Sequence, residues 1–300
     1  MNADTSPSNA DVQATIDQLW IYPVKSCAGV SLDEVELTDT GLLYDRAWMV
    51  VDAQGRFVSQ RELPRMALIQ PAFKMGQLVL RAPGMLALHL ELNVAEGPLK
   101  VRVWDDEVQA CDMGDLAAQW FSDFLGADAP ENLRQLRLAR FDPEVRRPSS
   151  ARWLGGREAG TQFADGFALL VTSTASLAGL NERLVAAGQA PVDMRRFRPN
   201  VVLSGLEAHD EDRVGPMRIA TDGGEAAVIE TVKPCQRCPI PNIDPDTAHS
   251  SPEVNDTLQG YRQDARLNGA ITFGMNAIVV EGDGQVLRTG QAVTADWKFE

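Results

Sequence analysis

The sequence predicts a β-rich α+β fold in two parts, and three observations carry that reading. Short runs rich in β-branched and aromatic residues recur along the chain. Residues 114–125 and 175–187 instead space their apolar side chains as helices do. Between the two sets lies a polar, proline-containing connector at 127–132. The reading is therefore a polar, disordered tail at 1–12, an N-terminal β domain at 13–127 and a second domain at 128–300. A chain of 300 residues is long enough to build both cores.

The first strand is expected at 13–22, where Trp20 and Tyr22 suit a half-buried pleat. It runs into Tyr22-Pro23-Val24-Lys25-Ser26-Cys27. Pro23 ends regular pairing and Gly29 permits a turn, so Lys25 and Ser26 sit in a loop where a cation and a hydroxyl can meet an oxyanion. A strand follows at 30–37, then a hairpin of 47–51 with 56–60. Residues 85–94 alternate, with Leu86, Leu88, Leu90, Leu92 and Val94 on one face and His89 on the other as a surface histidine. A β run at 101–110 leads to Cys111, a structural cysteine among acids. The helix at 114–125 carries an apolar stripe of Leu116, Trp120, Phe121, Phe124 and Leu125.

The second part restarts with a strand at 133–138 and a loop rich in Arg, Pro and Ser at 141–152. A strand at 167–171 feeds Thr172-Ser173-Thr174 and the helix at 175–187, with Ser173 or Thr174 as N-cap. Such a junction suits an anion or is a plain cap. Arg195, Arg196 and Arg198 precede a strand at 201–203, stiffened by Pro199. Arginine clusters of this kind hold a phosphate or carboxylate, or form surface ion pairs. A β run at 226–232 enters the cysteine loop, 246–264 is polar, and strands close the chain at 271–281 and 286–293.

Composition narrows the function. The charged fraction of 23% and hydrophobic fraction of 44% are those of a soluble globular protein. A net charge of −14 argues against general binding to nucleic acid or an anionic membrane. No apolar run approaches the ~18–20 residues that span a bilayer, and 1–11 lack the apolar core of a secretory signal. Four cysteines make no disulfide framework, so the expected setting is reducing and cytoplasmic.

Two of the four cysteines, Cys235 and Cys238, form a C-x-x-C in K-P-C-Q-R-C-P-I-P, which continues to Asp244-Pro245-Asp246-Thr247. Structural zinc needs four ligands, and neither Cys27, Cys111 nor the three histidines show matching spacing. A thioredoxin-like pair should open a helix, which Pro234, Pro239 and Pro241 discourage. What remains is one thiolate as a metal ligand or as a sulfur acceptor, favoured by Lys233 and Arg237. The residues alone support an anionic ligand near a reactive cysteine.

Taken in order, Y-P-V-K-S-C, D-R-A-W-M-V-V-D, V-W-D-D-E-V, F-R-P-N-V-V-L-S-G, K-P-C-Q-R-C with I-D-P-D-T, and F-G-M-N resemble the MOSC-domain proteins with an N-terminal β domain. Within them the resemblance is to the amidoxime-reducing component and its bacterial counterparts. It implies a β-barrel-like N-terminal domain and a MOSC β-barrel domain with a few helices. It also implies a molybdenum–molybdopterin cofactor, with Cys238 as catalytic metal ligand and Cys235 as the fallback. The implied cofactor contacts are Lys25, Ser26, Arg46, Thr172, Ser173, Thr174, Arg198, Asn200, Arg237 and Cys238. Pyridoxal phosphate binding is a further property associated with this resemblance. The implied activity is reduction of N-hydroxylated compounds with electrons from a separate flavin or iron–sulfur protein. The alternative is a sulfur-carrier or cofactor-handling protein that holds a persulfide on the same cysteine. One departure stands out: the family often has glycine after D-P-D-T, where this chain has Ala248.

Overall fold

In the computed structural model, which describes residues 10–127 and 129–298, seven strands close into a barrel. The tail expected at 1–12 falls mostly outside these residues. The barrel strands are β1 (Val12–Ile21), β2 (Leu169–Ser173), β3 (Val201–Ser204), β4 (Met217–Ile219), β5 (Ala227–Gln236), β6 (Ala270–Glu281) and β7 (Ala292–Ala295). Their order is β2-β3-β1-β7-β4-β5-β6, and β6 closes on β2 through Leu170↔Asn276 and Val171↔Met275. Closure depends on Gly274, at φ 73°, where a Cβ would lie 2.6 Å from Thr172 Cγ2 and 2.7 Å from the Val171 carbonyl oxygen. No other residue fits there without moving a strand.

Ile16, Leu19, Val171, Leu203, Met217, Ile229 and Val293 fill the barrel. Each such side chain, fully buried, stabilises the fold by about 1.5–3 kcal/mol. Helices α1 (Asp115–Leu125), α2 (Thr174–Ala186) and α3 (Glu253–Gln259) pack outside it. Leu180 and Leu184 of α2 meet Val254 and Leu258 of α3 over Phe197 and Phe273. Among the described residues no helix is long and apolar enough to cross a membrane.

A second, antiparallel sheet runs in the order Trp48–Asp52, Leu136–Phe141, Asp106–Asp112, Gly97–Val103. Its Trp48–Asp52 strand is buried on both faces. Trp48, Val50 and Leu138 face Phe121 and Phe124 of α1, while Met49, Val51 and Ala139 pack with Phe163. Pairing crosses the 127–132 connector in both directions: β1 is a strand of the barrel, and Leu136–Phe141 pairs with Trp48–Asp52. This is the β-rich α+β architecture expected from the sequence, with a few helices.

Several expected elements differ. The run at 101–110 is a hairpin turning at Trp104 and Asp105. At 85–94 only Leu88–Glu91 is a strand, because its partner Gln77–Arg81 offers no further pairing; Leu86 and Val94 are exposed. Residues 56–60 make single bridges instead of a strand, since Asp52 Oδ1 accepts the N–H groups of Gln54 and Arg56 and turns the chain. The run at 286–293 breaks at Gly290, φ 83°, into Val286–Arg288 and β7. Leu116, expected in the stripe of α1, is exposed. The cysteine loop begins later than expected, because β5 continues through Pro234 to Gln236 by shifting register against β6.

Candidate functional site

Where β1 and β5 end and β2 and β3 begin, and the Trp104 hairpin reaches over from the second sheet, the chain encloses a cavity of about 480 Å³. It is of a size that suits a small organic ligand. Lys25, Ser26, Arg46, Arg198, Asn200, Arg237 and Cys238 all line it, together with Cys235 and Lys233. Residues far apart in sequence are thus brought to one wall.

The backbone at this wall is unusual. Nine non-glycine residues among those described have positive φ, and four of them line the cavity: Ser26 (67°), Arg46 (49°), Trp104 (55°) and Arg198 (58°). Such conformations persist only where their surroundings hold them, and they gather at functional sites.

Tyr22, at the end of β1, is the platform. The Arg46 and Arg198 guanidinium carbons lie 4.4 and 4.1 Å from its ring centroid. Arg46 donates to Asp45 Oδ2, to Asn200 Oδ1 (3.0 Å) and to the Arg198 carbonyl (3.0 Å). Asn200 also accepts from the Leu170 N–H and donates to the Trp20 carbonyl, so its amide ties β1, β2 and Arg46 together. Arg198 donates to the Cys27 carbonyl, and its Nη2 is buried without a hydrogen-bond partner. Burial, with Arg46 nearby, lowers the Arg198 pKa to about 10, so it stays charged at neutral pH.

Lys25 is buried, and its Nζ donates to the Phe163 carbonyl (2.8 Å) and to Asp165 Oδ1 (2.5 Å). Burial lowers the Lys25 pKa, and the Asp165 carboxylate opposes that. Arg147 fixes the Asp165 loop by donating to the carbonyls of Gln162, Ala164 and Asp165.

The two loop cysteines differ. Arg237 Nη1 lies 3.0 Å from Cys235 Sγ, and Arg237 Nη2 donates to the Phe197 carbonyl. Arg237 Nε is buried and unpartnered. Cys238 Sγ has no hydrogen-bond partner among the described residues, although its carbonyl accepts from Asn255 Nδ2 (3.2 Å). Downstream, Asp244 Oδ1 accepts from Asp246 N, Thr247 N and Thr247 Oγ1. Arg196 pairs with Asp244 and Arg195 forks onto Asp246, so these two arginines clamp the D-P-D-T turn. The turn puts Ala248 at φ 59°, which accounts for glycine at this place in the family.

Thr172, Ser173 and Thr174 are not among the residues lining the cavity. Ser173 Oγ caps α2 by accepting from the Ser176 N–H (3.1 Å), and it donates to Glu211 Oε2 (2.9 Å). The acceptor at this helix N-terminus is the buried Glu211 carboxyl, which also accepts from Ser176 Oγ and whose pKa burial raises. Conversely, Phe57, Arg61, Trp104 and Asp165 line the cavity without having been singled out. The one local signal for Asp165 is its place in an Asp-Gly turn. Trp104 sits at a hairpin tip beside Asp105, a usual turn residue, but itself holds a positive-φ position that asparagine or glycine more often fills. Cys27 is fully buried, which pushes its thiol up to about 12, and Cys111 is also raised by burial, with Asp142 adding to it.

Two family models match the chain: a MOSC N-terminal beta barrel domain over residues 13–128 and a MOSC domain over residues 159–294. Mitochondrial amidoxime reducing component 2 of Bos taurus is 35% identical, covering 83% of this chain and 72% of its own. Mitochondrial amidoxime-reducing component 1 is 37% identical in Mus musculus and 35% in Homo sapiens, each over 83% of this chain. The shares covered in those two relatives are 71% and 72%. With the site's residues on one wall and this likeness spanning both matched domains, the chain belongs to the family of the amidoxime-reducing components, built from a MOSC N-terminal domain and a MOSC domain.

Proposed function

We propose that this chain is a molybdenum-cofactor oxidoreductase that reduces N-hydroxylated compounds, with the Cys238 sulfur as the protein's ligand to the metal. The names of its relatives support the reaction class. The observation that carries the reading is the cavity itself. An unengaged sulfur lines the same space as Arg198, Arg237 and Lys233, none of which has a carboxylate at ion-pair distance among the described residues.

The residues fit such a group. Arg198 Nη2 and Arg237 Nε are buried donors without partners, which is costly unless an acceptor completes them. Unpaired guanidiniums suit a phosphate, and a soft thiolate suits a sulfur-binding metal. Among the described residues no three His, Cys, Asp or Glu side chains are placed to hold an ion. A metal here has to arrive with other ligands of its own.

When bound, a molybdenum–pterin group supplies a two-electron centre that takes oxygen from an N–OH group. Arg198 and Arg237 bind its anionic parts, while Asn200 orients Arg46. Arg237 holds Cys235 aside and leaves Cys238 available. Lys25 Nζ is held in place by the Phe163 carbonyl and the Asp165 carboxylate. The net reaction breaks one N–O bond, forms one N–H bond and releases water. It consumes two protons and two electrons, the latter from a separate flavin or iron–sulfur protein.

The test is amidoxime reduction with a chemical or protein electron donor. Wild type is expected to form one amidine per two electrons, and Cys238→Ala to lose this with its circular dichroism unchanged. Full activity in Cys238→Ala would sink the assignment. Metal-free protein carrying labile sulfane sulfur would favour the sulfur-carrier alternative.

A further inference from the structure

One side chain lining the cavity stands outside the buried core. Trp104 occupies the tip of the hairpin between Gly97–Val103 and Asp106–Asp112, belongs to none of the buried clusters and is 47% exposed. Its φ of 55° is one that a bulky residue adopts only under constraint, whereas asparagine or glycine would take it readily. The structure nevertheless fixes the ring on three sides. Its Nε1 donates to Asp165 Oδ1 (3.2 Å), the Arg61 guanidinium lies 4.8 Å from its centroid, and Phe57 meets it edge-on at 5.0 Å and 63°. Phe57, Arg61, Trp104 and Asp165 all line the cavity, and Lys25 Nζ lies 5.2 Å from the Phe57 centroid.

We infer that Phe57 and Trp104 form the wall that selects the substrate, favouring a planar, conjugated N-hydroxylated compound over an aliphatic one. This rests on the reductase reading above. An exposed indole held in a strained turn offers a rigid flat surface at little entropic loss on binding, and aromatic faces gain from offset or edge contacts with flat π systems. Asp165 couples the wall to the interior, because the same oxygen accepts from Trp104 and from Lys25.

The experiment is calorimetric titration of the holoenzyme with benzamidoxime and with acetamidoxime, beside kcat/KM for both. Wild type is expected to prefer the aryl compound. Trp104→Asn, which suits the turn's backbone, should reduce that preference about tenfold, equivalent to ~1.4 kcal/mol. Trp104→Phe should restore most of it, and Phe57→Leu should reduce it less. An aryl preference unchanged in both Trp104→Asn and Phe57→Leu overturns the wall. Because binding is read without turnover, the two readings fail separately. A Trp104-dependent aryl preference in binding, with neither compound reduced, would overturn the reductase and support the wall. Reduction of both compounds with a ratio insensitive to Trp104 and Phe57 would do the reverse.

Discussion

Two cavities in this acidic protein carry many basic side chains, and only one looks built for an anion. The second, of about 780 Å³, is lined by Arg152, Arg157, Arg213, Arg262, Arg266 and Lys298. Four of those arginines are already matched: Arg157 with Glu230, Arg213 with Asp210, Arg262 with Asp212 and Arg266 with Asp264. In the cysteine cavity Arg198, Arg237 and Lys233 lack such partners among the described residues, and two buried guanidinium nitrogens there are unsatisfied. The difference teaches that a count of arginines does not identify a site. Buried guanidinium nitrogens without an acceptor do, because the protein bears their desolvation with no carboxylate to offset it.

The sharpest way to break the comparison is to remove one arginine from each cavity. Arg262→Met leaves the mostly buried Asp212 carboxylate with only the more distant Arg266 to offset it, and should cost about 3 kcal/mol of stability in denaturant unfolding. Arg198→Met removes a buried cation that faces Arg46, so the ligand-free chain should change by less than about 1 kcal/mol, or gain. Its loss should instead appear as weaker retention of the cofactor through gel filtration. If Arg198→Met unfolded the chain as readily as Arg262→Met, the distinction would collapse.

A pH test sharpens the same contrast. His209 lines the second cavity, and burial, with Arg262 and Arg183 nearby, lowers its pKa to about 4. The unfolded chain therefore binds this proton more readily, and stability is lost as pH falls from ~6.5 toward 4. His209→Gln should lose relative to wild type at pH 7 and recover about 1–2 kcal/mol of that difference by pH 4.5. A difference independent of pH would contradict a buried neutral histidine. The smallest effect is expected beside the first cavity, in the turn clamped by Arg195 and Arg196. Ala248→Gly relieves a φ of 59° and should stabilise by up to ~1 kcal/mol, read as a rise in Tm of a few degrees.

Much of this was legible in the sequence. Pro23 and Pro199 mark strand ends, and the cations and hydroxyls just beside them, Lys25, Ser26 and Arg198, do reach one cavity with the C-x-x-C. Periodicity also placed β1, β6 and the helices α1 and α2 to within a residue or so. What stayed hidden depends on distance along the chain. The pairing of Lys25 with Asp165 spans 140 residues, and no local pattern announces it. Thr172-Ser173-Thr174 read as an open anion site because the carboxyl group that fills it, Glu211, comes 35 or more residues later. The turn at Trp104 is hidden because a bulky aromatic stands where asparagine or glycine usually takes positive φ, with only Asp105 and Asp106 to mark it, and that misfit singles it out once the fold is known.

The central claim is that Cys238 joins a molybdenum cofactor held by the unpaired cations of this cavity. Its most direct test is molybdenum elemental analysis with pterin detection, on protein made in a host that produces the cofactor. About one molybdenum per chain is expected for wild type and for Cys235→Ser, and none for folded Cys238→Ser. Folded wild type without molybdenum, or Cys238→Ser that retains it in full, would contradict the account.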